Sequence, residues 1–260
     1  MGTHFIPNLD SCGALEKHEL SHPSLTGQWQ SPYAQSSVQN FPIGTRLQLH
    51  DRTFYYCCAA GTTTVSMKAG HNSLLGADVY TAAVAYAVGD TDIVVLDTDT
   101  RAANYYENGY LWIMGATVFQ LLKIKSSDAA AADDDRVTLH LWDPITTAVP
   151  ASTWTAVRPN PFSAITFTTT GKRSMMCVPL IPVTTAYYFW GQTWGPCYGT
   201  AKSAIPGTTD GDRDVYFNTD GALIAGTDTA LETVVPQRAG FVITDTTTGG
   251  DQFYMLQITP

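Results

Sequence analysis

Short runs of alternating apolar and polar residues dominate the chain from residue 41 onward. In RVTLHLWD, at 136–143, every second residue is apolar, and the same period of two recurs in LKIK at 122–125. This period is typical of β-strands that are buried on one face. Further strands are predicted at 46–59, 93–98, 110–114, 164–170, 177–183, 215–218, 221–226, 239–244 and 253–259. Because segments with a helical period are almost absent, we predict an all-β protein built from β-sandwich or barrel modules.

The first forty residues differ in character from the rest. They are rich in Ser, Gln and Asn, and prolines interrupt them, with one short helical possibility at 12–21. We therefore expect an extended N-terminal arm at 1–40, a β-rich block at 41–157 and a C-terminal β-rich block at 158–260. The two blocks form either one continuous domain or two separate ones.

The densest aromatic stretch of the chain is TTAYYFWGQTWGPCYG at 184–199, which contains no Asp, Glu, His, Lys or Arg. Aromatic side chains dominate protein cores and interfaces, so this stretch predicts a buried strand and turn at the centre of the C-terminal block. The spacing of Gly191 and Gly195 predicts a bulge or tight bend within it. The aromatic residues expected in the core or at an interface are Tyr187, Tyr188, Phe189, Trp190 and Trp194.

The composition argues against two classes of partner. The formal net charge is −9 at pH 7, whereas binding to nucleic acid or to an anionic membrane surface requires clustered Lys and Arg. No apolar run approaches the roughly 20 residues of a membrane helix, and the N-terminus lacks the pattern of a secretory signal. We therefore expect no nucleic-acid and no membrane partner. The five cysteines lack a C-x-x-C spacing and are expected to be mostly buried, reduced thiols.

Two strings offer candidate metal ligands. HELSH matches H-E-x-x-H, in which His18 and His22 would bind zinc from one face of a helix while Glu19 activates water. Pro23 follows immediately and disfavours helical geometry, so a chance match in a polar arm is the favoured interpretation. The second string has the spacing of a calcium loop, but it lacks the turn glycine and the final glutamate. Its candidate ligands are Asp210, Asp212 and Asp214.

A third candidate site is aromatic. Tyr105, Tyr106, Tyr110 and Trp112 surround the string ANYYENGY, where exposed rings beside Asn and Glu could stack on sugars. The alternative, which we favour, is that these rings belong to the core or to a subunit interface.

Several pieces of the chain carry a resemblance to a known family. They are FPIGTRLQLHDRTFYY, ENGYLWI, LLKIKSSDAAAADDDRVTLHLWDPITTAV, RPNPF, AYYFWGQTWGPC, VPQRAGFVITDTT and FYMLQITP. In these pieces the chain resembles virion structural proteins of tailed bacteriophages, which are encoded among the head genes and are abundant in marine viruses. The resemblance implies a decoration or cement protein of the capsid. It carries over no catalytic residue.

The leading hypothesis is therefore a non-enzymatic bacteriophage capsid decoration protein without a cofactor. Its expected partners are the major capsid protein and further copies of itself, as a dimer or trimer, with the arm reaching onto neighbouring subunits. The acidic net charge would repel the packaged genome, which favours the outer capsid surface of a virion assembled in the host cytoplasm. Two alternatives remain open: a glycan-binding adhesin or head-fibre module that uses the aromatic site, and a zinc hydrolase that uses HELSH.

Overall fold

The computed structural model describes residues 4–9, 15–61, 67–73, 78–97, 99–131, 136–167, 174–202, 213–225, 237–244 and 252–260. Within these ranges every helix or strand element is a β-strand, so the predicted all-β class is confirmed. The chain divides into two compact units. Met1–Leu74 and Phe162–Pro260 form the first, here called the sheet unit, and Leu75–Pro161 form the second, here called the barrel unit.

The barrel unit is a six-stranded antiparallel sheet. Its strands are β6 (Asp78–Thr81), β7 (Asp92–Val95), β8 (Tyr110–Met114), β9 (Phe119–Ser127), β10 (Val137–Leu141) and β11 (Trp154–Arg158). Their order across the sheet is β6-β11-β8-β9-β10-β7. The two edge strands meet where the backbone N–H of Leu96 donates to Thr81 and that of Ala83 donates to Val94. These bonds bring the sheet to a nearly closed barrel.

The inside of the barrel is filled by the apolar residues that alternate along its strands. Ile93, Leu111, Ile113, Ile124 and Leu139 are completely buried there. The period of two in β9 and β10 therefore marks strands that are buried on one face, as predicted, since the inward positions form one continuous core.

The sheet unit contains the remaining strands of the described chain. They are β1 (His4–Leu9), β2 (Leu15–Leu20), β3 (Arg46–Leu49), β4 (Arg52–Cys58), β5 (Gly70–Asn72), β12 (Ile165–Thr166), β13 (Met175–Pro179), β14 (Tyr188–Gly199), β15 (Asp214–Phe217), β16 (Leu223–Ala225), β17 (Arg238–Thr244) and β18 (Gln252–Gln257). The main path is β1-β2-β3-β4-β14-β18-β17-β15-β16, and β5, β12 and β13 branch from β14. This sheet curves into a half-barrel.

Strand β14 is the centre of the sheet unit, as the aromatic stretch predicted. It pairs with β4 along its first half, with β18 along its second half, and with β13 at Gly191 and Gln192. Both of its faces are covered, because Trp190 packs in one apolar cluster and Phe189 in another. The predicted irregularity is confirmed: the register with β4 shifts between Gln192 and Trp194, and Gly195 has a positive φ of 97°.

Part of the predicted N-terminal arm packs on the sheet unit of its own chain. Residues 21–40 follow an irregular path held against the sheet unit, and the Gln30 side chain is 4% exposed. Its amide oxygen accepts hydrogen bonds from Tyr56 Oη at 2.7 Å and from Asn40 Nδ2 at 2.9 Å, while its amide nitrogen donates to the carbonyl oxygen of Tyr188. These polar groups cover the apolar edge of β4 and β14. They are removed from water there, and the hydrogen bonds to one another replace those to water.

The boundary between the units also lies elsewhere than the boundary expected between the two β-rich blocks. The expected first block, 41–157, contributes β3, β4 and β5 to the sheet unit and only its later part to the barrel unit. The reason is long-range pairing, since β4 takes β14 as its neighbour across the whole intervening barrel. Such pairings leave no local mark in a sequence.

Candidate functional site

Three adjacent barrel strands carry apolar side chains on their outer surface. In β8, Tyr110 and Trp112 point outward while Leu111 and Ile113 fill the core. Strand β9 continues this pattern on the neighbouring strand. The outward positions of a barrel in water are ordinarily polar, so apolar residues there indicate a surface that another molecule covers.

The register between the strands brings these outward residues together in rows. The rows across β11, β8 and β9 contain Trp154, Met114 and Phe119 in the first, Ala156, Trp112 and Leu121 in the second, and Arg158, Tyr110 and Lys123 in the third. We call the surface formed by Tyr110, Trp112, Met114, Phe119, Leu121 and Trp154 the apolar face. Side chains directly opposite each other on one face of a sheet lie in contact distance, so this surface is continuous.

The apolar face is strongly exposed. The exposed fraction is 72% for Phe119, 67% for Leu121, 64% for Trp154 and 50% for Trp112. Large side chains of this kind bury about 150–250 Å² each when covered, so the face presents roughly 600 Å² of apolar surface. That is as large as the largest apolar patch of a typical soluble monomer, at about 300–600 Å², and such patches are commonly functional.

Positive charge lies at one end of the apolar face. The Lys123 ammonium stands 4.0 Å from the centroid of the Tyr110 ring and also donates a hydrogen bond to the backbone carbonyl of Asn108. On the other side of Tyr110, Arg158 occupies the paired position of β11. The opposite end of the face runs into the turn between β8 and β9, Gly-Ala-Thr-Val at 115–118, which is uncharged. The face is therefore apolar in its middle and positive at one end.

The structure divides the predicted aromatic site. Tyr110 and Trp112 belong to the exposed apolar face, whereas Tyr106 is completely buried and Tyr105 is half-buried against it. Tyr106 therefore cannot stack on a sugar, and the sugar-stacking alternative is left with Tyr110 and Trp112 as its exposed rings. The Tyr106 hydroxyl can be buried because it donates a hydrogen bond to Asp97 Oδ2 at 3.0 Å.

Asp97 and Arg101 form a buried ion pair within the barrel unit. The Arg101 Nε lies 2.8 Å from Asp97 Oδ2, and the two side chains are only 12% and 1% exposed. Arg101 also donates to the Tyr80 hydroxyl at 3.1 Å, and Tyr80 lies 3.1 Å from the Tyr106 hydroxyl. Burial raises the pKa of Asp97, but the hydrogen bonds from Arg101, the Asp99 backbone N–H and the tyrosines outweigh it and lower the pKa below 3.8. These bonds tie Arg101, Tyr80 and Tyr106 together around the buried Asp97 carboxylate.

His140 forms a second charged group on the barrel surface. Its Nδ1 lies 2.6 Å from Asp92 on β7, and its Nε2 lies 3.2 Å from Asp128, just beyond β9. The hydrogen bonds to these two carboxylates raise the pKa of His140 above 6.5. A protonated imidazole can donate to both at once, so this residue joins three neighbouring strands in its charged form.

The HELSH string lies in a different conformation from the one that zinc binding requires. His18 and Glu19 belong to strand β2, where they pair with Leu49 and Gln48 of β3. A strand rises about 3.3 Å per residue, so residues four positions apart do not share one turn as they do in a helix. The helical possibility at 12–21 is therefore wrong for residues 15–20, and His18 and His22 are not brought together by a helix.

The other predicted metal ligands are only partly within the described chain. Asp210 and Asp212 lie outside the described residues. Asp214 begins β15 and forms an ion pair with Arg238, whose Nη2 lies 2.8 Å from its Oδ1. Among the described residues, no group of three or more His, Cys, Asp or Glu side chains is arranged to hold a metal ion.

The predicted core aromatics of β14 are found in three environments. Phe189 and Trp190 are completely buried, Tyr188 stacks on Tyr56 at a centroid distance of 6.1 Å, and Tyr187 and Trp194 are half-buried. Tyr188, Phe189 and Trp190 belong to the apolar clusters of the sheet unit. The cysteines there are thiols, and burial raises the pKa of Cys197 to about 12.

The sequence analysis missed Phe119, Leu121 and Trp154, which make up much of the apolar face. In the string VFQLLK, apolar residues occupy both faces of β9, so the alternation that separates inside from outside is lost before Lys123. A strand that is apolar on both faces is itself a signal, since it predicts a partner on the second face.

The fold and this surface define an all-β protein in which a barrel, inserted into a larger sheet unit, exposes a continuous aromatic and aliphatic face. Comparisons with protein-family models, with curated proteins and with solved structures find no match to this chain. The likeness to phage head proteins therefore stays a prediction. No helix among the described residues has the length and hydropathy to cross a membrane.

Proposed function

We propose that this protein is a structural component of a tailed-bacteriophage virion that decorates the outside of the capsid. The observation that carries this proposal is the apolar face, in which Phe119, Leu121 and Trp154 are each at least 64% exposed on a well-packed barrel. Exposed apolar surfaces of this size commonly mark sites of contact with another protein. The sequence resemblance supports the virion as the place where this occurs.

The scaffold beneath the face supports the same role. Leu111, Leu122 and Ile124 lie directly behind it in the barrel core and are buried, so the face is held by a rigid support. The backbone that carries the face therefore loses little conformational freedom on association, which favours a stable contact. Such a contact strengthens a shell when it joins neighbouring subunits.

The test is electron cryo-microscopy and peptide mass spectrometry of purified particles of the phage that encodes the chain. The expected result is peptides from this protein and density for its barrel on the outer capsid surface. Density in the tail, or particles from which the protein is absent, would contradict a capsid role. A preparation treated with mild denaturant to strip outer proteins provides the matched control.

The second candidate is glycan binding, as in an adhesin or head-fibre module. It is favoured by the exposure of Trp112 and Tyr110, both of which the sequence analysis had singled out. The immediate neighbours of Trp112 in its row are Ala156 and Leu121, however, and apolar neighbours suit a protein partner better than the hydroxyl groups of a sugar. A glycan array probed with the purified protein decides between them, since binding that is lost in Trp112→Ala would favour the glycan.

A further inference from the structure

We infer that the occupant of the apolar face is a second copy of this chain, packed face to face about a two-fold axis. This inference rests on the proposed function in one respect, namely that the dimer would be part of a virion. It names the partner that covers the same apolar face. Two observations lead to it: the size of the face and the position of its charges.

The size of the face fits a dimer contact. A stable interface buries about 800 Å² on each partner, with an apolar centre and a polar rim. The roughly 600 Å² of the apolar face supplies the centre, and the surrounding Lys123, Lys125 and Arg158 supply part of the rim. Trp112 and Leu121 occupy the middle row, where large side chains contribute most to binding.

The position of the charges selects one orientation. Two sheets that pack face to face are related by a two-fold axis in the plane of the contact. If this axis follows the row of Ala156, Trp112 and Leu121, the strands of the two copies run in opposite directions. The positive row of one copy then lies over the row of Trp154 and Phe119 of the partner subunit.

This orientation is favourable for two reasons. It separates the positive rows of the two copies by about four residues of strand, roughly 14 Å, which exceeds the screening length of about 8–10 Å at physiological salt. It also sets a cation over an aromatic ring, an attraction of the kind that already joins Lys123 to Tyr110 within the chain. An axis parallel to the strands, along β8, would instead place Lys123 over Arg158 of the partner subunit.

The experiment is sedimentation velocity of the full chain between about 1 and 100 µM, with the unmodified protein expected to be a dimer in the upper part of this range. In Leu121→Lys, a charge placed in the central row is expected to weaken dimerisation at least 100-fold. Val88→Lys is the matched control, because Val88 is 64% exposed in the same unit but lies outside the face. This control should dimerise like the unmodified protein.

A second pair of variants tests the orientation. In Phe119→Glu, a carboxylate faces the positive row of the partner subunit, whereas in Phe119→Lys a like charge faces it. We expect Phe119→Glu to dimerise at least tenfold more tightly than Phe119→Lys. Equal affinities would overturn the proposed orientation.

The dimer itself is overturned by an unmodified protein that stays monomeric at 100 µM, or by Leu121→Lys and Val88→Lys behaving alike. Monomers that bind DNA-free phage shells through the apolar face would also overturn it, and would identify the capsid protein as the occupant. These outcomes are separate from the test of the proposed function. A dimer that is absent from virions contradicts that function alone, and a monomer found on virions contradicts the dimer alone.

Discussion

The indole N–H of Trp190 donates a 2.8 Å hydrogen bond to the backbone carbonyl of Gln30. The bond joins the centre of β14 to the N-terminal segment, 160 positions away in sequence. Phe41 and Tyr56 enclose the Trp190 ring with centroid distances of 5.1 and 4.9 Å, so the bond is shielded from water. Residues 21–40 are therefore part of the folded sheet unit.

Replacing Trp190 by phenylalanine tests this relationship. The change leaves the buried carbonyl of Gln30 without its indole donor and removes part of a close-packed ring, for an expected loss of about 3 kcal/mol in the free energy of unfolding. Urea denaturation measures it, and faster proteolysis within 21–40 should accompany it. Trp194→Phe is the control on the same strand, since Trp194 is half-buried. Equal losses in the two variants would show that the bond to Gln30 has no special role.

Gly195 should tolerate no side chain. It has a φ of +97°, and a Cβ atom there would lie 2.4 Å from the backbone carbonyl oxygen of Asp51. We expect Gly195→Ala to lower the free energy of unfolding by about 3 kcal/mol, because backbone strain and a collision with backbone act together. Gly27 also has a positive φ, of +70°, but open space around it. Gly27→Ala should therefore cost only about 1 kcal/mol, and a cost as large as that at Gly195 would contradict the steric argument.

The pair of Asp97 and Arg101 should stabilise the protein in a pH-dependent way. Because its pKa is lowered in the folded state, Asp97 contributes stability that is present above pH 3.8 and is lost as the pH falls through the folded pKa. At neutral pH, Asp97→Asn leaves the Arg101 charge without its buried carboxylate, with only the exposed Asp99 as a counter-ion at 2.9 Å, and should cost about 3 kcal/mol. Asp99→Asn, at a position that is 69% exposed, should cost less than about 1 kcal/mol. Denaturant unfolding at neutral and acid pH measures both, and a loss that is equal in the two variants would refute the assignment.

The contribution of His140 to stability should depend on pH in the opposite sense to that of Asp97. Its pKa is raised by Asp92 and Asp128, so its contribution to stability is complete below pH 6.5 and is lost as the pH rises through the folded pKa. In His140→Asn this part of the pH dependence should disappear. The measurement is the urea midpoint at several pH values from 5.5 to 9, with His50→Asn as a control because His50 is an exposed turn residue of positive φ. A pH profile that is unchanged in His140→Asn would show that the two carboxylates do not act on this ring.

The strands that could be predicted from sequence are those with a clear period of two or clear turn signals. Strands β3 and β4 both lie within the predicted range 46–59, where they form a hairpin, and β8 matches its predicted range. Other strands were not predicted because their sequences lack these signals. Strands β6 and β11 are short and are flanked by Thr, Ala and Pro, and they pair with each other from opposite ends of the barrel unit. Only the tertiary contact reveals them as strands.

Only part of the candidate site could be predicted from the sequence, for a similar reason. Adjacent tyrosines such as Tyr105 and Tyr106 look alike in sequence, and burial of the second depends on Asp97, which approaches it through the fold. In the string HELSH, a local pattern compatible with a helix gives way to pairing of Glu19 with Gln48 on β3. In both cases a partner distant in sequence decides the conformation.

The neighbouring positions of β6 and β11 have a kinetic consequence. Asp78 pairs with Val157, so the chain enters and leaves the folded barrel at neighbouring positions. Strands β4 and β14 must find each other across this segment, and each halving of the flexible chain between two partners lowers the entropic cost of closing the loop by about 0.6 kcal/mol. A barrel that folds first as the chain leaves the ribosome shortens that loop more than twofold. Early folding of the barrel thus removes most of the entropic cost that its insertion adds to the pairing of β4 with β14.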